Sequence, residues 1–224
     1  MTARHPATTL VAAGLALGAA AVALVLLWHP WETRDQFGYT DVEPIRDAMW
    51  RTILVDGVAY ALVGITLGIV VCGFARSRGA IWATVGAALT TLGGIAFAMG
   101  EYAFVSLSWY ATEPDALSTA QGSKLLDHVV DHPEHGIVVQ MAGFAAITLG
   151  TLALMVALLR ARAVPTWLPV AVIVLLVAQF TPIPSRALDF VQVAQMLLFV
   201  GLAWMFVRTD AAHRSHRSAA AARA

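Results

Sequence analysis

The chain has 224 residues, 59% hydrophobic and 12% charged, with mean hydropathy +0.73 and a formal net charge of zero. Charged residues alone reach about a quarter of an ordinary soluble domain, so the composition excludes a water-soluble globule and places the chain in a bilayer. Its basic charge is too thin and scattered for a nucleic-acid partner.

Crossing about 30 Å of hydrocarbon takes roughly 20 apolar residues. Six stretches qualify: 10–28, 52–74, 81–105, 137–159, 164–180 and 188–207. The expected fold is an all-α, six-span transmembrane bundle, one domain over residues 1–208, with outer loops at 29–51 and 106–136. The first stretch follows Arg4 and His5, as a signal peptide would. Its length exceeds the 7–15 residues of a signal core and no small-residue cleavage site follows, so it is read as a retained helix. Gly14 and Gly18 within it have the small-xxx-small spacing that admits a close neighbour.

Pro44, after Thr40 and Asp41, marks a helix start ahead of the second span. Asp47 and Arg51 stand four apart on that projecting turn, a spacing open to an ion pair. Asp56 lies about 6 Å inside the boundary with Tyr60 on the same face. Cys72, the only cysteine, excludes an intrachain disulfide. The third span has glycine at every seventh position, Gly79, Gly86, Gly93 and Gly100, followed by the acid Glu101. After Tyr110, Thr112, Pro114 and Asp115 resemble a helix start, Gly122 interrupts, and residues 123–132 form a segment along the outer interface that Pro133 ends. Gly136, Gly143 and Gly150 repeat the seven-residue spacing in the fourth span, and prolines bracket the fifth. The tail, 209–224, reads as disordered and weakly attracted to anionic lipid.

Charge sorting sets orientation, because Lys and Arg accumulate on the cytoplasmic side. Arg4, Arg76, Arg78, Arg160, Arg162, Arg208 and the arginines of the tail share one side. Glu32, Asp35, Asp41, Glu43, Asp47, Glu113, Asp115, Asp127, Asp131 and Glu134 share the other, against Arg34, Arg46, Arg51, Lys124 and Arg186. The expectation is a multi-pass protein of the cytoplasmic membrane with both termini inside.

With this orientation, the polar residues of the spans fall in the outer halves: Asp56, Glu101, Ser108, Gln140, Gln179, Asp189, Gln192 and Gln195. The inner halves offer only Thr66, Thr84, Thr90, Thr91 and Thr148 among glycine and aliphatics. An ionised carboxylate at the bilayer centre costs about 2.5–3.5 kcal/mol on insertion scales, so such residues face the bundle or a water-filled cavity. An outward-facing polar pocket is expected, with Glu101, Asp56, Tyr60, Gln140, Gln179, Asp189, Gln192 and Gln195 as ligand-binding candidates. The bland reading is helix-to-helix hydrogen bonding, worth about 0.6 kcal/mol per contact. For Asp189, one residue inside the boundary, that reading or a helix N-terminal charge interaction is favoured.

A weaker candidate is a metal shell from His128, His132 and His135, completed by Asp131 or Glu134. No phosphate loop, Ser-His-Asp set, haem-attachment motif or span lysine is present, so no cofactor is expected; the only lysine, Lys124, is in a loop.

Thr84-Val-Gly86 opening a small-residue helix, and the run 158–169, Leu-Leu-Arg-Ala-Arg-Ala-Val-Pro-Thr-Trp-Leu-Pro, join two further marks to the pattern. On these the chain resembles, over about half its length, uncharacterised six-span bacterial integral membrane proteins classed under a domain of unknown function. That resemblance implies a fold and no activity.

The leading expectation is a protein that binds a small or amphiphilic ligand, anchored by Glu101 and Asp56. An enzyme using these two as acid and base on a lipid-like or isoprenoid substrate is the alternative, and a proton-coupled transporter is third. The expected partners are the lipid bilayer, that ligand, and further copies through the glycine-rich helix faces.

Overall fold

The computed structural model describes residues 6–31, 38–76, 78–132, 134 and 137–221. Arg4, Glu32, Arg34, Asp35, Pro133, His135, Gly136 and Arg223, all used above, lie outside them. Among the described residues the chain is helical without strands. We number the helices α1 (Pro6–Trp28), α2 (Tyr39–Val42), α3 (Arg46–Phe74), α4 (Ala80–Thr112), α5 (Thr119–Asp131), α6 (Val138–Ala161), α7 (Trp167–Ala178) and α8 (Ser185–Ala221). Five are long and apolar enough to cross a membrane: α1, the α2–α3 unit, α4, α6 and the first 25 residues of α8.

Local chemistry explains most boundaries. Gly38 caps α2, its N–H donating to Asp41 Oδ2 at 3.2 Å, and a single 3-10 turn, Glu43–Ile45, carries Pro44 into α3. Gly79 enters α4 at φ +99°, a left-handed conformation that L side chains rarely adopt. Ser118 and Gln121 form a capping box that starts α5. α5 therefore begins four residues earlier than expected from Ser123 and runs straight through Gly122. That glycine packs on the Ala111 carbonyl and the Tyr39 ring, a site with no room for a side chain.

The largest departure is α7. The apolar stretch 164–180 is helical only over Trp167–Ala178, 12 residues or about 18 Å. Thr181 closes its end, donating Oγ1 to the Ala178 carbonyl at 2.6 Å, and Pro182 and Pro184 cannot continue the helix. Residues 182–184 lie outside any helix or strand, and α8 starts at Ser185, the Pro184 carbonyl accepting from Leu188 N–H at 3.0 Å. α8 in turn continues as helix to Ala221, through the stretch expected to be a disordered tail.

α1 packs on α3 and α8, α3 on α4, α4 on α6, and α7 joins α6 to α8, so the long helices close a ring. One end of the ring holds the two long loops, here called the loop end. There Arg46 ties the start of α3 to the end of α4, donating to the Thr112 carbonyl at 2.7 Å and pairing with Glu113 at 3.2 Å. Asp47 accepts from Trp109 Nε1 at 2.8 Å. α5 seats Leu126 against Tyr39 and Ala111 above this junction. Toward the opposite end the interior is aliphatic, with Leu15, Leu67, Val70, Leu154, Leu158 and Leu202 fully buried. Outside, Leu10, Leu17, Leu24, Ile81, Leu92 and Met99 are exposed, an apolar exterior that suits lipid rather than water.

Candidate ligand-binding site

Three layers succeed one another from the loop end inward. The first holds carboxylates. On α4, Thr90, Gly94, Phe97, Glu101, Val105, Ser108 and Thr112 are all buried, at steps of three or four residues that make one helix face. Glu101 is thereby turned into the bundle, 9% exposed, and its Oε1 accepts from Gln140 Nε2 of α6 at 3.2 Å. The neighbouring Gly100 makes this pairing reachable, since a methyl there would stand 2.7 Å from the Gln140 backbone nitrogen. On α3, Gly57 packs against Ala98, three residues before Glu101, which sets the adjacent, half-buried Asp56 at the level of Glu101.

The second layer is aromatic. One turn inward of Asp56 stands Tyr60, one turn inward of Glu101 stands Phe97, and one turn inward of Gln140 stands Phe144. Their rings form a continuous row: Tyr60 to Phe97 at 4.8 Å, Phe97 to Phe144 at 6.5 Å, and Phe144 to Phe180 at 6.4 Å between centroids. These separations fall within the roughly 4.5–7 Å of interacting aromatic pairs, the rings being tilted 45–60° to one another.

The third layer is a cavity bounded by α3, α4, α6, α7 and α8. Gln192 and Gln195 of α8, Gln179 beyond the end of α7, and Tyr60 supply part of its polar wall. Thr90, Thr148 and Thr151 supply the rest, among Leu67, Ile147, Leu176, Met196 and Phe199. Gln179 Nε2 donates to Gln195 Oε1 at 2.6 Å. Gln195 stands about 15 Å along α8 from Ser185, so this bond lies deep in the bundle because α7 stops short. The cavity has a volume of about 30 Å³. The space suits water or one small polar group.

The structure thus divides the eight candidates. Glu101 and Gln140 meet, with Asp56 at their level; Tyr60, Gln179, Gln192 and Gln195 share the cavity beneath. Asp189 joins neither group. Its Oδ2 faces His29 Nε2 at 3.4 Å, with Arg186 Nη1 at 4.0 Å, and the His29 and Asp189 side chains are 5% and 4% exposed. His29 also contacts the Trp31 carbonyl through Nδ1 at 2.7 Å and stacks on the Trp31 ring. A carbonyl only accepts, so Nδ1 carries a proton, and the pair fastens α1 to α8.

His128 and His132 do share a face of α5, their rings 4.5 Å apart, and His132 Nδ1 lies 3.1 Å from Glu134. No group of three or more His, Cys, Asp or Glu able to hold a metal occurs among the described residues, and His135 lies outside them.

His29, Phe97, Phe144 and Thr151 escape the sequence reading. A polar-residue inventory passes over phenylalanines, whereas the four-residue offset of Phe97 from Glu101 and of Phe144 from Gln140 is a signal the sequence does contain. Comparison with known proteins adds no relative, since no family model, curated protein or solved structure matches the chain.

Proposed function

We propose that the chain is a six-span protein of the cytoplasmic membrane, both termini inside, that binds a small or amphiphilic ligand entering from the outer side. The layering of carboxylates, aromatic rings and a neutral polar cavity carries this reading. Buried polar groups in a membrane bundle are expensive unless matched, and here Thr90, Thr151, Gln192 and Gln195 are gathered around one cavity. Glu101 and Asp56 anchor the ligand at the mouth; the aromatic row receives its apolar part.

The sixth crossing is compatible with the short α7. About 18 Å of helix followed by a non-helical climb past Pro182 and Pro184 covers the remaining depth, and two prolines bring no backbone N–H into that stretch. The excess of arginine at the other end of the bundle supports the orientation.

Glu101→Gln and Asp56→Asn test the reading in purified protein. Both variants are expected to keep the parent's fold while reducing the ligand-induced rise in melting temperature for at least one member of a panel of amphiphiles. Parent-like melting with every member of the panel sinks the proposal.

A further inference from the structure

Resting on the binding role just proposed, we infer that the group of the ligand that passes the aromatic row into the deep cavity is uncharged and both donates and accepts hydrogen bonds: an alcohol or a primary amide. The cavity wall is mostly apolar surface with the hydroxyls and amides of Thr and Gln set into it, and among the described residues none that lines it is charged. Its hydroxyls and amides match a neutral group in kind. The Gln179–Gln195 bond occupies one N–H of the first and one lone pair of the second, so the two amides keep both donors and acceptors to offer. Thr148 and Thr151 line the cavity from α6, and a hydroxyl both gives and takes. An ion brought to this depth would leave water without meeting a counter-charge, the costliest form of burial. Neither Glu101 nor Asp56 lines the cavity: Glu101 is bonded to Gln140, and Asp56 stands one turn, about 5–6 Å along α3, outward of Tyr60. Size agrees, because a cavity of about 30 Å³ is far below the roughly 300–1,000 Å³ of sites that enclose a whole ligand.

Three single-chain probes of equal length distinguish the outcomes: 1-decanol, decyl sulfate and decyltrimethylammonium, titrated into the full chain in nanodiscs of uncharged lipid, with tryptophan fluorescence following melting. Decanol is expected to stabilise the parent and to bind at least tenfold more weakly to Gln195→Leu and to the Thr148→Val, Thr151→Val pair, the second variant leaving the glutamine bond intact should the first fold poorly. Glu101→Gln is expected to weaken decanol less than either. A charged probe that stabilises the parent as well as decanol does, and loses this in the cavity variants, overturns the inference. Decyltrimethylammonium binding that depends on Glu101 and Asp56 alone, with decanol without effect, also overturns it while the binding role stands. Indifference to all three probes overturns both.

Discussion

The two flanks of α6 handle the same problem, a helix neighbour in an apolar surrounding, in opposite ways. Against α4 it packs backbone to backbone. A methyl on Gly93 would come within 2.7 Å of the Ile147 nitrogen, one on Gly150 within 2.7 Å of the Thr90 nitrogen, and one on Gly143 would overlap the Phe97 backbone. Against α7 and α8 the contact is made by side chains across a void, because α7 has 12 residues and stops. A glycine seam leaves no space for a ligand, whereas a truncated helix cannot fill its share of the ring. The difference teaches where to look for a site: at the broken helix, whose neighbours supply the polar groups, and not along the small-residue stripes that first draw the eye.

Breaking the tight flank should produce the largest effect. Gly143→Ala forces a methyl against main-chain atoms that cannot swing aside, and a loss of about 1–3 kcal/mol is expected from overpacking, read by unfolding in mixed micelles with far-UV circular dichroism. Gly201→Ala is its control. Nothing lies within 4 Å of that position, and alanine's better helix propensity predicts a gain of up to about 1 kcal/mol. Equal losses at the two glycines would erase the distinction between the flanks.

On the open flank, Gln195→Leu removes the acceptor of Gln179, and a buried donor left unmatched costs about 1–3 kcal/mol. Water in the cavity should hold the value near the lower limit, which the same unfolding experiment measures. The coupling itself is smaller. A double-mutant cycle over Gln179→Leu and Gln195→Leu should return about 0.6 kcal/mol, the average for polar contacts between membrane helices; zero coupling would mean that the pair is bridged by solvent. Glu101→Gln should change stability least, within about 0.5 kcal/mol, because an amide oxygen can still accept from Gln140. Its effect belongs to ligand response, so a large stability loss would recast Glu101 as a structural bond and not an anchor.

How far the sequence carries can be judged residue by residue. Periodicity turns Glu101 inward on α4, and the three-residue steps of Asp189, Gln192 and Gln195 are visible on paper. Their partners are not. Gln192 and Gln195 reach the cavity while Asp189, one turn away, is held by His29 just past the end of α1, because helix spacing describes one helix and partner choice depends on which helices abut. α7 misleads for a related reason. Its hydropathy supports a full span, yet the prolines at 182 and 184 set its length, and no apolar average registers them.

What this chain's sequence determines by itself is its solvent and its secondary structure: apolar runs of spanning length, obligatory helices where backbone groups find no water, and the faces those helices turn inward. Only the tertiary structure decides that Glu101 bonds to Gln140, that aromatic rings one turn deeper separate the acids from the amides, and that a cavity opens where α7 ends. The physical reason is that burial of apolar surface acts on each helix alone and without direction, whereas a hydrogen bond or a void exists only between helices whose register and proximity packing has already set.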